Sequence, residues 1–217
     1  MSTKMNNANA SLFDEKAKSW DEEPRRVAMG MAIARAVEAR IAEGKRPRLM
    51  DYGCGTGLCC LPLAGRCSSV LGVDSSTEML ARLEAKARAG GMRHVTTRRH
   101  DLTAGSLAES GFDVILCAMT LHHVREIGLL LGRFHSMLTP GGLLAAADLD
   151  KEDGSFHQDS RGVEHHGFDR EWIRQQLQAA GFGQVSFETA YEIEKPGPSG
   201  EPRHFPVFLA TARKQGG

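Results

Sequence analysis

Five short apolar runs alternate with helical stretches along most of the chain: RLMDY (48–52), SVLGVD (69–74), HVTTR (94–98), FDVILCAM (112–119) and LLAAAD (143–148). Each run has the length of a strand buried on both faces, and the intervening stretches at 57–66, 77–90 and 125–138 read as helices. Strands joined through helices run parallel, and a parallel sheet needs helices on both faces. The pattern predicts a doubly wound α/β sandwich, with few alternatives open to it.

The two ends of the chain differ from this repeat. Residues 25–42 place Val27, Met31, Ala34, Val37 and Ile41 at helical spacing, before Gly44 and Pro47 stop the pattern. At the other end, 168–182 reads as a helix with Asp169 at its start and Gly181 as its stop, followed by runs at 184–190 and 205–214. Those runs are joined by the Pro/Gly-rich stretch 195–202 and by no helix, so they are expected to form an antiparallel edge pair that brings the sheet to seven strands. The expected organisation is a flexible leader (1–12), an N-terminal helical lid segment (13–46) and one α/β domain (47–217).

Composition narrows the function classes. With 27 Lys+Arg against 27 Asp+Glu among 217 residues, the chain has no bulk positive field for nucleic acid or anionic lipid. The basic run Arg93, His94, Arg98, Arg99 and His100 lacks interleaved aromatics and reads as a solvated strand edge. No apolar run approaches the ~20 residues of a membrane helix, and the polar N-terminus does not read as a secretory signal, so a cytoplasmic protein is expected. The five cysteines include no C-x-x-C pair and read as reduced thiols.

The first strand runs directly into Gly53-Cys54-Gly55-Thr56-Gly57. Glycines at a strand-to-helix turn let backbone N–H groups approach a ligand beside the partly positive helix start. A dinucleotide fingerprint would need glycine at position 58, where Leu58 stands, and Asp51 would repel a pyrophosphate while suiting an amino group. Asp74 follows Gly53 by 21 residues, near the ~20-residue spacing of a carboxylate that accepts ribose hydroxyls. Asp101 and Leu102, after the third strand, could meet an exocyclic amine and the face of a base. An adenosine moiety satisfies all three positions. Each residue also has a plainer reading, Asp74 as a cap for the STEML helix and Asp101 as a loop cap.

The stretches MDYGCGTG, VLGVDSSTEML, HDL, FDVILCAMTLHHV and MLTPGGLLAAADLD resemble the successive motifs of class I S-adenosylmethionine-dependent methyltransferases, over about residues 13–212. The small-molecule branch related to ubiquinone and menaquinone biosynthesis is similar in pattern. The resemblance implies a Rossmann-like methyltransferase fold with S-adenosyl-L-methionine as cofactor. Asp51, Gly53, Cys54, Gly55, Thr56 and Gly57 would line its methionine part, and Asp74 would hold the ribose. Ser75 and Met79 would flank the nucleoside, Asp101 and Leu102 would meet the adenine, and Cys117, Ala118 and Met119 would lie beneath it. Phe13 and Trp20 would belong to a segment folding over the cofactor, and Arg25 or Arg26 could pair with its carboxylate.

Methyl transfer from a sulfonium needs alignment and exclusion of water more than covalent machinery. An acidic acceptor still needs a base. His122 and His123 follow the fourth strand; His157, His165 and His166 follow the fifth, in a stretch that also carries Asp148 and Asp150. His122, His123 and His166 are the candidate catalytic residues, and Asp148, Asp150, His157 and His165 the candidate substrate contacts. A capped structural lid and a metal site are the competing readings of this loop; its histidines match no H-x-x-x-H or H-E-x-x-H helix pattern, and no metal is expected. The fourth strand ends in Met119-Thr120 without an acidic residue, unlike the magnesium-dependent catechol type, and no Asn-Pro-Pro-aromatic motif is present. The expected function is methyl transfer to a small molecule. The alternatives are a catalytically silent S-adenosylmethionine-binding protein and a nicotinamide-dependent oxidoreductase.

Overall fold

The structure, a computed structural model, describes residues 10–157, 159–197 and 200–215. Residues 1–9 of the expected leader and 198–199 of the expected connection lie outside these. Residues 10–12 of the expected leader are helical. Helix α1 already spans residues 10–16, and it buries Ala10 and Leu12.

A 3-10 turn (Ala17–Glu22) leads from α1 into α2 (Pro24–Glu38). The repeat then runs β1 (Arg48–Tyr52), α3 (Cys60–Ala64), β2 (Ser69–Asp74), α4 (Thr77–Ala89), β3 (Val95–Arg99) and β4 (Phe112–Ala118). A 3-10 turn (Leu121–His123), α5 (Ile127–Met137), β5 (Leu138–Leu149), α6 (Arg170–Ala179), β6 (Phe182–Pro196) and β7 (Pro202–Lys214) complete it. Side chains set the helix starts: Glu23 accepts from the Arg25 N–H, Ser76 Oγ from the Met79 N–H at 3.1 Å, and Asp169 Oδ1 from the Trp172 N–H at 2.9 Å. Ser76 therefore does the capping that Asp74 could have done, and Asp74 is left at the strand end for other work. Helix α3 is shorter than expected because the glycine turn extends to Cys59 before the helix begins.

The seven strands lie in the order β3-β2-β1-β4-β5-β7-β6. The first five are parallel, and β7 pairs antiparallel with both β5 and β6. Strand side chains alternate between two cores. Met50, Tyr52, Ile115, Cys117, Leu144 and Phe208 pack with α5 and α6 on one face. Leu49, Val70, Leu116, Ala145 and Leu209 pack with α2, α3 and α4 on the other. The basic stretch lies on β3, an edge strand, where Arg98 pairs with Glu109 and Arg99 donates to the Ser75 carbonyl.

The chain order reverses between β1 and β4. In an open α/β sheet that reversal leaves a crevice at the carboxyl ends of the two strands, since their connections leave in opposite directions. Among the described residues, no helix is long and apolar enough to cross a membrane.

Candidate functional site

The crevice opens into a cavity of about 1440 Å³ that spans the glycine turn, the ends of β2 and β4, and the N-terminal segment. The turn after β1 is held open by its neighbours. Gly53 and Cys54 both donate backbone N–H bonds to the Val73 carbonyl, at 2.8 and 3.1 Å. Gly53 has φ +69, and a Cβ there would collide with Thr120, so only glycine lets β1 and β4 close together at this point. Gly55 also has positive φ, +51, but faces room: a Cβ would meet only the Met79 sulfur, at 3.9 Å.

The three acidic positions are treated differently by the fold. Asp74 Oδ2 accepts from the Gly55 N–H at 2.8 Å and Oδ1 from the Ser76 N–H at 2.9 Å. Burial pushes its carboxyl above the usual range, and those two N–H bonds oppose the shift. Each oxygen keeps lone-pair capacity toward the cavity that Asp74 lines. Asp51 is almost wholly buried, and neither carboxylate oxygen has a hydrogen-bond partner. Burial pushes it up to about 7; the Cys60 thiol lies close enough to favour its charge but outside hydrogen-bonding geometry. A buried, unsatisfied carboxylate on a cavity wall is a strong demand for a donor or cation. Asp101 Oδ1 accepts from Thr103 N and Oγ1, both at 2.7 Å, and from the Tyr52 hydroxyl at 3.2 Å, which fixes its carboxylate at the cavity edge.

Of the other expected cofactor residues, Trp20, Cys54, Thr56, Ser75, Met79, Ala118 and Met119 line the cavity, and Gly57, Leu102 and Cys117 do not. Leu102 turns into the core beside Tyr52 and Val73 and offers no face to a base. Cys117 is likewise enclosed beneath the floor. Gly57, at φ +86, is crowded by Leu61 and Leu83, so its missing Cβ serves packing of the turn against α3 and α4.

The N-terminal segment is bolted across the mouth. Asp14 Oδ1 accepts from Ser76 Oγ at 2.5 Å and from the Glu78 N–H at 3.1 Å. Asp21 accepts from Thr56 Oγ1 at 2.5 Å and from Lys86 Nζ at 2.7 Å. Phe13 lies edge-on to both Trp20 and His123, with ring centroids 5.8 and 5.2 Å away. Aspartates 14 and 21 carry no sequence signal of this role, since their partners are 35 to 65 residues away.

The histidines separate into two groups. His122, His123 and His157 line the cavity, with ring centroids 4.1 Å (122 to 123), 5.0 Å (122 to 157) and 6.3 Å (123 to 157) apart. His122 Nδ1 lies 2.8 Å from Asp148 Oδ1, and both side chains are buried. Burial pushes Asp148 up, but the His122 charge and hydrogen bonds from His122 and the Leu149 N–H outweigh it, so the carboxyl ends below its usual value. The ionised acid requires a proton on Nδ1 and leaves Nε2 as the basic nitrogen. His123 Nδ1 donates to the Gly162 carbonyl at 2.7 Å; burial and the His122 charge lower its pKa to about 3. Burial, again with His122, lowers His157 to about 4, and its Nε2 is buried without a partner.

His165 and His166 fall outside the cavity lining. His165 Nε2 bonds the Val124 carbonyl at 3.0 Å and its ring packs beside Phe168. The ring of His166 is half exposed, 3.5 Å from Glu152. Asp150 is held by Arg170 at 2.7 Å, and Asp148 is enclosed behind His122, so neither reaches the cavity surface. Much of the loop is a structural brace: the Glu164 and His165 N–H groups both donate to the His122 carbonyl, at 2.8 and 3.1 Å. Among the described residues, no three His, Cys, Asp or Glu side chains are placed to hold a metal ion.

Comparisons with known proteins bear on the fold and on the kind of domain. Residues 49–142 match the family described as a methyltransferase domain. The chain is 36% identical over 110 residues to a ubiquinone biosynthesis O-methyltransferase of Nitrobacter winogradskyi, covering 50% of this chain and 41% of that protein. It thus spans less than half the length of the curated relatives it matches. Among solved structures, the DhpI-SAH complex covers 97% of both chains with a TM-score of 0.73 at 21% identity. A phosphoethanolamine N-methyltransferase of Haemonchus contortus in complex with S-adenosyl-L-methionine gives 0.68 at 16% identity, over 94% of this chain and 60% of that one. At these identities the solved structures speak for the fold.

Proposed function

We infer that the chain is a class I S-adenosylmethionine-dependent methyltransferase that moves a methyl group from S-adenosylmethionine to a weakly acidic group, a hydroxyl by preference, on a small molecule. The observation that carries the reading is the placement, on one cavity, of an unpartnered buried carboxylate and a carboxylate-backed histidine. Asp51 fits the ammonium of a bound amino acid, which would supply the missing partner and return the carboxyl to its charged form. Asp74 fits the two ribose hydroxyls, and the open side of Gly55 fits close backbone approach. When bound, S-adenosylmethionine supplies a methyl group on sulfonium, open to in-line attack.

The chain's own part is alignment, dryness and one proton. Phe13, Trp20 and Met119 wall the cavity with apolar surface, and the clasped N-terminal segment keeps water out. His122 takes the acceptor's proton at Nε2. Asp148 holds the imidazole in the tautomer that can do so and stabilises the imidazolium that results. His123 and His157, both neutral near pH 7, accept or donate hydrogen bonds without competing for charge. His165, His166 and Asp150 act as loop braces in this reading.

The test is calorimetry with S-adenosylhomocysteine, followed by methyl release from labelled donor over a panel of hydroxyl, amine and thiol acceptors, for the wild type and His122→Asn. The reading expects product binding in both proteins and turnover only in the wild type. Product binding with no turnover on any acceptor favours a silent binding protein.

A further inference from the structure

One corner of the cavity gathers three cations. Arg25, Arg26 and Lys195 lie at one corner, where the start of α2 meets the end of β6, and Arg25 Nη1 donates to the Glu194 carbonyl at 3.2 Å. Arg25 is neutralised by Glu23 at 3.0 Å. The other two cations have no carboxylate within ion-pair distance among the described residues. Arg26 lies over the Trp20 ring at 4.1 Å and donates to the Trp20 carbonyl at 3.3 Å. Lys195 lies over the Phe156 ring at 3.6 Å and donates to the Phe156 carbonyl at 2.5 Å. Aromatic faces and carbonyls orient a cation and cushion its loss of water, but they leave its charge in place.

One carboxylate on the cofactor can satisfy one of these cations. Position decides which. Arg26 belongs to the segment latched to the glycine turn through Asp21 and Thr56, at the methionine end. Lys195 belongs to the acceptor end, because its platform Phe156 is 4.7 Å from the His157 ring, which is 5.0 Å from that of His122. Glu152 is the acid nearest in influence to Lys195, but it forms no ion pair with it: its Oε2 accepts the Gly154 and Phe156 N–H groups, at 2.8 and 3.1 Å, and its Oε1, buried without a hydrogen bond, lies 3.5 Å from His166 Nδ1. The surrounding wall is apolar, with Phe156 edge-on to Phe205 at 5.3 Å.

Building on the methyltransferase reading, we propose that Lys195 anchors an anionic group of the acceptor, so that the substrate class is a hydroxylated, ring-bearing carboxylate or comparable anion and not a neutral hydroxyl compound. The cation fixes one end of the molecule, the ring packs on the apolar face that Phe156 and Phe205 form together, and the hydroxyl is delivered to His122. Nothing in the sequence around position 195 announces this role, because the strand end reaches the cavity only through the β6–β7 hairpin.

Calorimetry on the full chain loaded with S-adenosylhomocysteine tests it, with 3,4-dihydroxybenzoate and 4-hydroxyphenylacetate as probes, each beside its neutral methyl ester. We expect at least one acid to bind roughly tenfold more tightly than its ester, the preference to vanish in Lys195→Met and to persist in Lys195→Arg, as a charge-assisted contact requires. Equal binding of acid and ester, no saturable binding of either acid, or an unchanged preference in Lys195→Met overturns the anchor. The preceding titration separates the failures: a chain that takes up no S-adenosylhomocysteine sinks the methyltransferase reading itself, whereas uptake in both proteins without acid preference sinks only the anchor and shows that Lys195→Met is folded.

Discussion

Asp148 grips His122 twice, through Nδ1 at 2.8 Å and through the backbone N–H at 3.2 Å, so the ring and the peptide that carries it are positioned by one buried carboxylate. The Leu149 N–H binds the same carboxylate at 2.8 Å. Such a fully bonded acid is not available to a substrate. Its consequence is a histidine with a fixed tautomer on the cavity wall.

Asp148→Asn tests that consequence. The amide keeps the shape but offers no charge to the imidazolium, so turnover is expected to fall by roughly 10²–10⁴-fold. S-adenosylhomocysteine affinity is expected to stay within a factor of about two, because Asp148 lies outside the cavity surface. Kinetics and calorimetry on one preparation decide it; a parallel loss of both would mean that the site has come apart.

Asp51 sets a pH dependence with a definite sign. Its carboxyl is raised to about 7 in the ligand-free chain, so it is largely protonated at pH 6 and ionised at pH 8. An ammonium ligand prefers the ionised form, so S-adenosylhomocysteine affinity should climb through that interval and level off above it. Stability moves the other way: a carboxyl raised above its unfolded value favours the fold at low pH and costs stability as pH rises toward 7. Asp51→Asn should flatten the affinity profile and make the ligand-free protein melt higher at pH 8. A binding profile unchanged by the substitution removes Asp51 from the site.

Asp74→Ala removes the carboxylate proposed to hold the ribose and also releases the Gly55 and Ser76 N–H groups. Cofactor affinity is expected to drop by about 2–3 kcal/mol and folding stability by about 1–3 kcal/mol, since two part-buried donors lose their acceptor. Calorimetry and denaturant melts measure the two separately.

The two glycines of the turn predict opposite patterns. Gly53→Ala forces a side chain into Thr120 at a positive φ and should lower the melting temperature sharply. Gly55→Ala has space within the protein, so its cost in stability is about 1 kcal/mol, and its main effect falls on cofactor affinity. Equal stability losses at both positions would show that room at Gly55 is not kept for a ligand.

Asp14→Ala with Asp21→Ala cuts the bonds that tie the N-terminal segment to Ser76, Thr56 and Lys86. Product release, followed by stopped-flow fluorescence of Trp20, is expected to quicken by about tenfold, and the equilibrium melt to fall as well, by about 1–3 kcal/mol for each buried hydroxyl left without its acceptor, since Thr56 and Ser76 are buried. Unchanged release means that the segment does not gate the site.

The sheet was legible in sequence because buried parallel strands and amphipathic helices leave contrasting local patterns, and β2 lies at the residues read from its run. That Asp51, Gly53, Gly55 and Asp74 share one cavity was legible for a similar reason: they are fixed to strand ends, so spacing alone carries them to one crevice. The acceptor wall was not. His157 and His166 look alike in sequence, yet one turns inward beside Phe156 and the other outward to Glu152, a choice made by the fold of the 150–167 loop. The side chain of Leu102 lies in the core because an apolar residue just past a strand packs as well there as against a base. Lys195 and Phe205 reach the cavity, and Asp14 its anchor on Ser76, only through contacts across the chain, and no local pattern encodes those.

Titration of the wild-type chain with S-adenosylhomocysteine in a calorimeter bears most directly on this account. Saturable binding at one site per chain, strongly weakened by Asp74→Ala and not reproduced by NAD, is the predicted result. Heats no larger than dilution, or equal affinity for NAD, would contradict it.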